Sequence, residues 1–518
     1  MKNANIFIKI LFVVLFPLIF RSGMVDAEIC AVPADGQPVN TSNPTTIVGN
    51  GTPSSCTAAA LNSAVQNGGI ITFNCGANPV TITLTQQIRI NNVANGLGDT
   101  VIDGGGKVTL NGGNAARIFY LNACEEPWNS DHCDTFDHPR FTVQNLTFIN
   151  GKNDTQMGGG AIYAEGGVLK VVNSSFFNNH CAATGQDVAG GAVFSVLQSK
   201  TVYLVNSVFG GPGSLGNSCS NGGAVGSIGT SYSILNSVIS GNSATGTGAN
   251  PGNGGNGGGI ANDGNTFTLN LCGTTLSNNS ANAIGGGIFF VSNNGTGTTI
   301  IAKSSIIGNS ITTVPSTPKQ AGGLYLQGTR AFILNSTVAN NSAPYAGAIN
   351  EYSNNGAGSL DLVNVTISGN SSTAVKTVLE IDDNVTGTFL NATIASNTGG
   401  IGSGAGITLS NTIIADNGTS NCSGSHPTGG GNIQHPSGGT ACTTGVIYGD
   451  PRLGPLQDNS GPAHTMTMAT AAGSAALNAG HACPSADQRG ISRPVEGCTS
   501  GAYQYIHLSP PAGLRLMH

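Results

Sequence analysis

One phrase recurs ten times between residues 145 and 420: two or three apolar residues, an Asn-Ser-x sequence or a relative of it, one large apolar residue, and often a second Asn. Successive copies begin 27 to 37 residues apart, and only the last interval, of 20 residues, is shorter. A repeat of this length marks stacked supersecondary units, none of which can bury its apolar face alone. The repeat therefore predicts a solenoid. The copies begin at Asn145, Asn173, Asn206, Asn236, Gly273, Lys303, Asn335, Asn364, Asn391 and Asn411.

Two columns of apolar residues indicate how each repeat is folded. One column lies two residues before the Asn-like position and the other lies three residues after it, from Val143 and Phe148 in the first copy to Leu409 and Ile414 in the last. Both columns must face inward, yet they are five residues apart, whereas an unbroken strand keeps one face at even spacing. A tight bend must separate them, and Asn tolerates the left-handed backbone that such a bend needs.

A pair of glycines, followed by a short apolar strand, precedes most copies of the phrase. Gly159-Gly160 and Gly190-Gly191 are the first two pairs, and paired glycines permit a sharp corner. Three strands per repeat, with coils stacked at roughly 4.8 Å, predict an all-β fold: a right-handed, single-stranded parallel β-helix of about ten coils with capped ends. A leucine-rich solenoid would have a shorter, Leu-rich period, and a propeller would have different blade motifs.

The chain outside the repeats divides into three further segments. Two lysines, a short apolar run and a small-x-small site predict a secretory signal peptide over residues 1–27. Because a solenoid exposes raw edges at both ends, we expect an N-terminal cap over 28–100 and a C-terminal cap with an anchor-like region over 421–518, on either side of a β-helix over 101–420. No later stretch is long and apolar enough to predict a membrane span in the mature chain.

Composition argues against a nucleic-acid partner and predicts disulfides. Only 8% of the residues are charged and the formal net charge is −6, so the chain has no basic footprint for nucleic acid. Twelve cysteines in an exported chain are typical of disulfides. Short spacings predict four pairs and successive repeats predict a fifth, whereas Cys30 and Cys272 have no obvious mate. The five predicted pairs are Cys56–Cys75, Cys124–Cys133, Cys422–Cys442, Cys483–Cys498 and Cys181–Cys219.

The repeat resembles that of a known family. The Gly-Gly-Ala-Ile sequence at Gly159 and the Phe-x-x-Asn sequence at Phe176 are similar to the repeats of polymorphic outer-membrane-protein passengers and other pectin-lyase-like β-helices. The segment from Asp450 to Tyr503 resembles the C-terminal region of bacterial choice-of-anchor β-helix proteins. The sequence ends at His518 with no sorting motif or apolar tail. We therefore expect a secreted or cell-surface protein, either free or held non-covalently.

The resemblance implies carboxylates, often with calcium, in a groove along one face, because β-helix enzymes commonly split acidic polysaccharides. Glu351 and Glu380 each lie 16 residues after the Asn of their own copy. We expect them at equivalent places on adjacent coils, roughly 5 Å apart and suited to acid/base catalysis or a shared cation. Asp382 and Asp383 follow directly and complete the candidate catalytic set. The alternative is a solvated acidic turn. Calcium is the one cofactor that the resemblance implies.

Aromatic side chains are the second kind of candidate site. If the residue after each glycine corner points inward, the next residue points outward, which predicts a row of exposed rings that can bind glycans. The alternative is that the variable loops cover this row. Trp128 lies in the loop between Cys124 and Cys133, where it can either stack on a sugar or cover the cap. The row consists of Tyr163, Phe194, Phe289 and Tyr325.

Two functions are consistent with these residues. The first is a secreted or surface-associated β-helix protein that binds glycans or cell surfaces in the manner of an adhesin. The low charge, the aromatic row and the anchor-like tail favour it. The second is a polysaccharide lyase or glycoside hydrolase that acts on an acidic polysaccharide through the acidic cluster. In both cases the expected partner is an extracellular polysaccharide or a cell-surface component. Fold alone does not separate the two functions.

Overall fold

The chain winds as a right-handed parallel β-helix, so the predicted fold class is confirmed. Nearly every strand pairs in parallel with the equivalent strands of the coils before and after it. The predicted signal peptide lies outside the described residues. Within those residues, no helix is long and apolar enough to cross a membrane. The computed structural model describes residues 30–91, 98–128, 133–249, 251–312, 319–460 and 465–506.

Sheet A is the largest of three parallel sheets that form the sides of the coil, and it has 26 strands in the described part of the chain. It has two limbs, which meet at the bend inside each repeat. Two long strands, Thr100–Asn111 and Arg140–Ile149, run through both limbs. The first limb also contains Thr46–Val48, Gly69–Phe73, Val168–Val172, Val202–Val205, Tyr232–Leu235, Thr268–Cys272, Gly297–Ala302, Thr329–Leu334, Ser359–Val363, Thr386–Leu390, Gly406–Ser410 and Thr428–Gly430. The second limb also contains Val80–Thr83, Ser175–Phe177, Val208–Gly210, Val238–Ser240, Thr275–Ser277, Ser305–Ile307, Thr337–Ala339, Thr366–Ser368, Thr393–Ala395, Ile413–Ala415, Ile433–His435 and Ile447–Tyr448.

Sheets B and C complete the coil. Sheet B follows the glycine corners, and short sheet C follows the second limb of sheet A. Sheet B consists of Ile88–Ile90, Phe119–Asn122, Ile162–Glu165, Val193–Val196, Val225–Ile228, Ile260–Gly264, Ile288–Ser292, Leu324–Gln327, Ile349–Tyr352, Thr377–Ile381 and Gly400–Ile401. Sheet C consists of Lys152–Asn153, His180–Cys181, Ser218–Cys219, Ser243–Ala244, Ser280–Ala281, Ser310–Ile311, Ser342–Ala343 and Ser371–Ser372.

The ends of the rod carry the remaining elements. The α-helix Ala58–Asn67 begins at Thr57, whose hydroxyl accepts a hydrogen bond from the backbone of Ala60. Its apolar face, which includes Leu61 and Val65, belongs to the core of the β-helix and covers the first coils. The antiparallel pair Leu453–Gln457 and Thr467–Thr470 lies at the other end. Short 3-10 turns occur at Ala34–Gly36, Pro53–Ser55, Cys133–Thr135 and Gly213–Leu215.

The two apolar columns face inward as predicted, and all of their side chains are fully buried. Members of one column lie directly opposite each other in successive coils. The bend between the columns has a positive φ in every copy, from 47° at Lys303 to 62° at Gly273. One column is Val143, Val171, Leu204, Ile234, Leu271, Ile301, Ile333, Leu362, Phe389 and Leu409. The other is Phe148, Phe176, Phe209, Ile239, Leu276, Ile306, Val338, Ile367, Ile394 and Ile414.

The second Asn of the repeat forms a fully hydrogen-bonded ladder inside the rod. Asn279 is typical: its side-chain oxygen accepts from the backbone and side-chain N–H groups of Asn242 at 3.0 and 2.9 Å. Its amide nitrogen donates to the carbonyl of Ile239 and to Asn309. In the bend column side-chain pairing is partial: the amide of Asn173, for example, donates to the side-chain oxygen of Asn145 at 3.2 Å. The inner ladder consists of Asn179, Asn217, Asn242, Asn279, Asn309, Asn341, Asn370, Asn397, Asn417 and Asn421.

Disulfides and two extended terminal segments fasten the outside of the rod. The five predicted disulfides are confirmed, and Cys30 pairs with Cys272. Residues 30–41, here called the N-strap, run along the outside of sheet A from Asn236 to Asp103. Residues 465–502, the C-strap, cover the same side of the last coils. Parallel pairing continues past 101–420 in both directions, from Thr46–Val48 to Ile447–Tyr448.

Candidate functional site

The two glutamates proposed as a catalytic pair lie on opposite faces of sheet B. In the parallel ladder Glu380 is opposite Asn350, and Glu351 is opposite Ile381. The expected equivalence is wrong because the loop between sheets C and B is one residue longer in the second of the two coils. A shift of one residue turns every side chain of a strand to the other face.

Glu351 points into the core, where it is fully buried. Neither of its carboxylate oxygens has a hydrogen-bond partner in the described part of the chain. Burial raises the pKa of Glu351 well above its ordinary value, which favours the neutral, protonated form. Leu326 occupies the same inward position one coil earlier. Glu351 therefore belongs to the core and not to a surface site.

The other three carboxylates of the acidic cluster hold turns. A threonine hydroxyl donates to Glu380, Ser353 donates to Asp382 at 2.8 Å, and the backbone of Gly404 donates to Asp383 at 3.0 Å. Backbone and hydroxyl hydrogen bonds lower the pKa of Asp382. These contacts match the alternative of an acidic turn. Over the described ranges, no group of three or more His, Cys, Asp or Glu side chains could hold a metal ion.

The aromatic row points outward from sheet B, but loops cover it. Tyr163, Phe194, Phe289 and Tyr325 have exposed fractions between 2 and 8%, so the expectation of an exposed platform is wrong. The rings pack in two groups, with Tyr163 against Phe194 and Phe289 stacked on Tyr325. The row is broken because Gly226 and Ala261 stand between the two groups. The row is therefore not available for stacking on glycans.

Trp128 is not a free surface ring either. It is half-buried against the main core cluster, and its indole N–H is buried without an acceptor among the residues that the structure describes. This placement matches the alternative in which the tryptophan covers the end of the rod. The loop that carries it nevertheless brings Glu125 to the outer face of sheet B.

A cluster of arginine, tyrosine and glutamate lies at this point of the outer face. Arg89, Tyr120 and Tyr163 are successive partners in the ladder of sheet B. They point outward, because the alternate residues, such as Phe119 and Ile162, belong to the core. The rings of Tyr120 and Tyr163 stack with centroids 5.3 Å apart. The Arg89 guanidinium lies over Tyr120, 4.5 Å from its centroid, and cation–π contact of this kind is stabilising.

Two carboxylates meet in this cluster through one amide. Asn122 donates to Glu125 at 3.3 Å and to Glu165 at 2.9 Å. Both bonds leave from one amide nitrogen, so both carboxylates lie against Asn122. The hydroxyls of Tyr120 and Tyr163 donate to Glu125 and Glu165 at 2.6 and 2.7 Å. Within the described residues, the second oxygen of Glu165 has no donor, and the side chain is half-exposed.

Charge and burial set different proton affinities within the cluster. Burial raises the pKa of Glu125, but hydrogen bonds from Tyr120 and Arg89 outweigh it, so that the net shift is downward. Burial is the larger cause that raises the pKa of Tyr120 and of Tyr163, and the neighbouring glutamate of each tyrosine raises it further. Both hydroxyls therefore stay protonated and act as donors. Burial lowers the pKa of Arg117, which lies behind the two rings, to about 10.

The sequence alone does not bring these residues together. Tyr163 and the loop after Cys124 are both candidates from the sequence, but the coil that contains Tyr120 has Ala116-Arg117 at the positions of the glycine pair. Its register with the later repeats is therefore hidden. The usable signal is the apolar alternation of Phe119 and Leu121, which places Tyr120 and its neighbour Asn122 on the outer face.

A half-exposed track leads away from the cluster along the outer face. From coil to coil Glu165 is followed by Val196, Ile228 and Asp263, and each of these side chains is half-exposed. Where Gly226 and Ala261 interrupt the aromatic row, a recess of about 280 Å³ opens beside the track. Its lining includes Ile228, Ala261, Asp263 and Phe289.

Comparison with known proteins supplies fold likeness alone. No family profile matches the chain, and no curated protein matches it. Ninety per cent of the chain aligns with a structure of the PL6 family alginate lyase AlyGC at 12% identity and a TM-score of 0.43, and covers 59% of that protein. For the pectate lyase Pel9A, 89% of the chain aligns with 96% of that protein at 14% identity and a TM-score of 0.32. Such low identities carry no information about chemistry.

Proposed function

We propose that the protein binds an extracellular polysaccharide along the outer face of sheet B and cleaves it by hydrolysis at Glu125 and Glu165. The observation that carries this proposal is the meeting of the two carboxylates on Asn122. Glycosidases use paired carboxyl groups, roughly 5–5.5 Å apart in retaining enzymes and 6.5–9.5 Å apart in inverting ones. The six disulfides fit a secreted protein.

The two carboxyl groups have different proposed roles. Glu125, whose pKa is held down by Tyr120 and Arg89, is the ionised group that attacks the sugar or activates water. Glu165 has one oxygen without a donor in the described part of the chain and gives its proton to the leaving oxygen of the glycosidic bond. In the overall reaction one water molecule is added across that bond. The tyrosine hydroxyls keep both carboxyl groups in place.

The charge of the outer face favours a neutral polysaccharide. Asp263 lies on the track, whereas Arg89 is already paired with Glu125 and Arg117 is only 4% exposed. A polymer of uronic acids would therefore meet like charges, which repel it. The half-exposed side chains of Val196 and Ile228 offer apolar surface to the C–H faces of neutral sugars. This departs from the acidic polymer that the family resemblance implies.

The test is a product assay on the purified mature protein with neutral and uronic-acid polysaccharides. We expect new reducing ends from a neutral polymer and no unsaturated products. Glu165→Gln and Glu125→Gln should each lower the rate by about 10²–10⁴-fold, the usual contribution of a positioned acid or base. Glu380→Gln, in the acidic turn of the same sheet, is the matched control and should retain full activity. Unsaturated products, or activity that survives Glu165→Gln and is lost in Glu380→Gln, would refute the proposal.

Binding without cleavage is the second candidate function. It is favoured by one observation: each carboxylate of the pair is already held by a tyrosine hydroxyl and by Asn122, as in a rigid recognition surface. Glycan-array binding that is weakened by Tyr120→Phe, with no products from any polymer in the panel, would favour this function over hydrolysis. Tyr325→Phe, a covered ring of the second aromatic group, is the control.

A further inference from the structure

Side-chain amides on the outside of sheet A hold extended backbone in a repeated way. Asn236 accepts from the N–H of Cys30 at 3.0 Å and donates to the carbonyl of the same residue at 2.9 Å. Gln144 holds both backbone groups of Val39 at 2.9 and 3.0 Å. A carboxamide presents one acceptor and one donor side by side, so it can satisfy both peptide groups of one residue at once.

The same contact recurs at the other end of the rod. Asn411 accepts from the N–H of His481 at 3.0 Å and donates to its carbonyl at 2.7 Å. Asn411 also donates to Asn391 of the previous coil. A side-chain amide of the bend column can therefore bind the neighbouring Asn and the backbone of a peptide at the same time. Two such contacts, at Asn236 with the N-strap and at Asn411 with the C-strap, lie on the bend column, and Gln144 makes a third directly beside it. This side of sheet A therefore binds extended backbone of the chain's own ends.

A stretch of the column between the two straps has no such segment on it in the described structure. The N-strap begins at Asn236 and Cys272, and the C-strap contacts Asn364 through Ala486. Lys303 and Asn335 are the column members between these contacts. They line an open cleft, one wall of which is the C-strap from Pro484 to Gly490.

The cleft offers three kinds of contact. The side-chain oxygen of Asn335 accepts one hydrogen bond from Asn364 at 3.1 Å, and the side-chain NH₂ group has no acceptor within the described residues. Leu334 and Val363 are half-exposed beside it. Lys303 is half-exposed and forms no ion pair with any described acidic side chain. The one acidic residue that lines the cleft, Asp487, is fully buried and paired with Arg489.

We infer that this cleft binds an extended, acidic peptide segment of another protein. Asn335 holds both backbone groups of one peptide residue, as Asn236 and Asn411 do for the straps. Leu334 and Val363 receive apolar side chains, and Lys303 pairs with a carboxylate of the peptide. The inference rests on continuity with the strap contacts on either side and on the unpaired charge. It is independent of the proposed hydrolysis, which takes place on sheet B.

The test is selection of randomised eight-residue peptides, displayed on phage, against the full mature protein. Enriched sequences are then synthesised, and their affinity is measured by fluorescence anisotropy. We expect an acidic residue in the enriched set. Asn335→Gly should weaken binding by about tenfold, because two backbone hydrogen bonds are lost. Gly is compatible with the left-handed bend there, since Gly273 occupies the same column at a φ of 62°.

Two further variants make the test specific. Lys303→Asn restores the usual residue of the column, and it should remove the preference for acidic peptides while neutral ones still bind. Asn206→Gly makes the same backbone change at a column position far from the cleft and should leave the affinity unchanged. The inference is overturned if no peptide is enriched, if Asn335→Gly binds the enriched peptides as tightly as the unchanged protein, or if Lys303→Asn keeps the acidic preference.

Discussion

Glu351 takes an inward position that Leu326 fills one coil earlier. A buried polar group without a partner costs roughly 1–3 kcal/mol, and neither oxygen of Glu351 has a partner in the described structure. The stability of variants at this position therefore measures the free-energy cost of burying a carboxyl group in the core of the rod.

Replacement of Glu351 by leucine should stabilise the protein. The substitution Glu351→Leu removes the unpaired carboxyl group and restores the residue type of the preceding coil, so we expect the free energy of unfolding at neutral pH to rise by roughly 1–3 kcal/mol. Urea unfolding followed by circular dichroism measures the change. A loss of stability would mean that the carboxyl group has a partner that this account lacks.

The stability of the unchanged protein should fall as the pH rises above about 4.5. Burial raises the pKa of Glu351 in the folded state, so between the unfolded and the folded pKa the native state binds more protons than the unfolded state. This contribution is intact below the unfolded pKa and is lost as the pH rises through the folded pKa. Glu351→Gln should show a flatter stability curve between pH 4 and 8. Parallel curves for the two proteins would contradict the assignment.

At the level of the repeat, two asparagine columns have different energetic weights. The bend column needs Asn chiefly for its backbone conformation, as at Asn206 with a φ of 48°. The inner ladder satisfies buried backbone groups, as Asn279 does for Asn242 and Ile239. A buried backbone group without a partner is costly, whereas a left-handed residue other than Gly or Asn costs about 1–2 kcal/mol.

Loss of a ladder asparagine should therefore be the more damaging change. Asn279→Ala leaves an N–H and a carbonyl unpaired in the core, and we expect a loss of about 3 kcal/mol or more. Asn206→Ala should cost about 1–2 kcal/mol, and Asn206→Gly should cost less. Denaturant unfolding of the three variants ranks the costs. Equal losses for Asn279→Ala and Asn206→Ala would contradict a special role for the inner ladder.

The repeat explains why the register of sheet A could be predicted from end to end, whereas that of sheet B could be predicted only in the coils with a full glycine pair. Each copy of the phrase contains both inward columns and the bend within six residues, so one register covers the whole of sheet A. Sheet B follows a loop of variable length, and a single extra residue before Leu379 moved Glu380 to the outer face while Glu351 stayed inside. The site at Glu125 depends on such a loop and on a coil without a glycine pair.

On the scale of the whole molecule, the straps join distant coils that otherwise contact only their neighbours. The Cys30–Cys272 disulfide spans 242 residues of sequence, compared with 15 for Cys483–Cys498. Through it the N-strap fastens the first coils to the middle of the rod. In a solenoid, stability is close to a sum over neighbouring repeats, so a long-range fastening adds cooperativity that the repeats do not supply.

Removal of the long-range disulfide should cost more than removal of a local one. From chain entropy we expect a loss of about 5 kcal/mol for Cys30→Ser with Cys272→Ser. For Cys483→Ser with Cys498→Ser, which opens a short loop, the expected loss is about 3 kcal/mol. Thermal unfolding monitored by calorimetry gives both values. If the two double variants are equally stable, the N-strap does not hold the first coils to the middle of the rod.

We propose that a neutral glycan lies on the outer face of sheet B beside Glu125 and Glu165. The most direct measurement is a crystal structure of the Glu165→Gln variant with a neutral oligosaccharide from the cleaved polymer. We predict sugar rings over Val196 and Ile228, with one glycosidic oxygen within hydrogen-bond distance of residue 165. Sugar bound on sheet A or sheet C, or none on the outer face of sheet B at a saturating concentration, would contradict the claim.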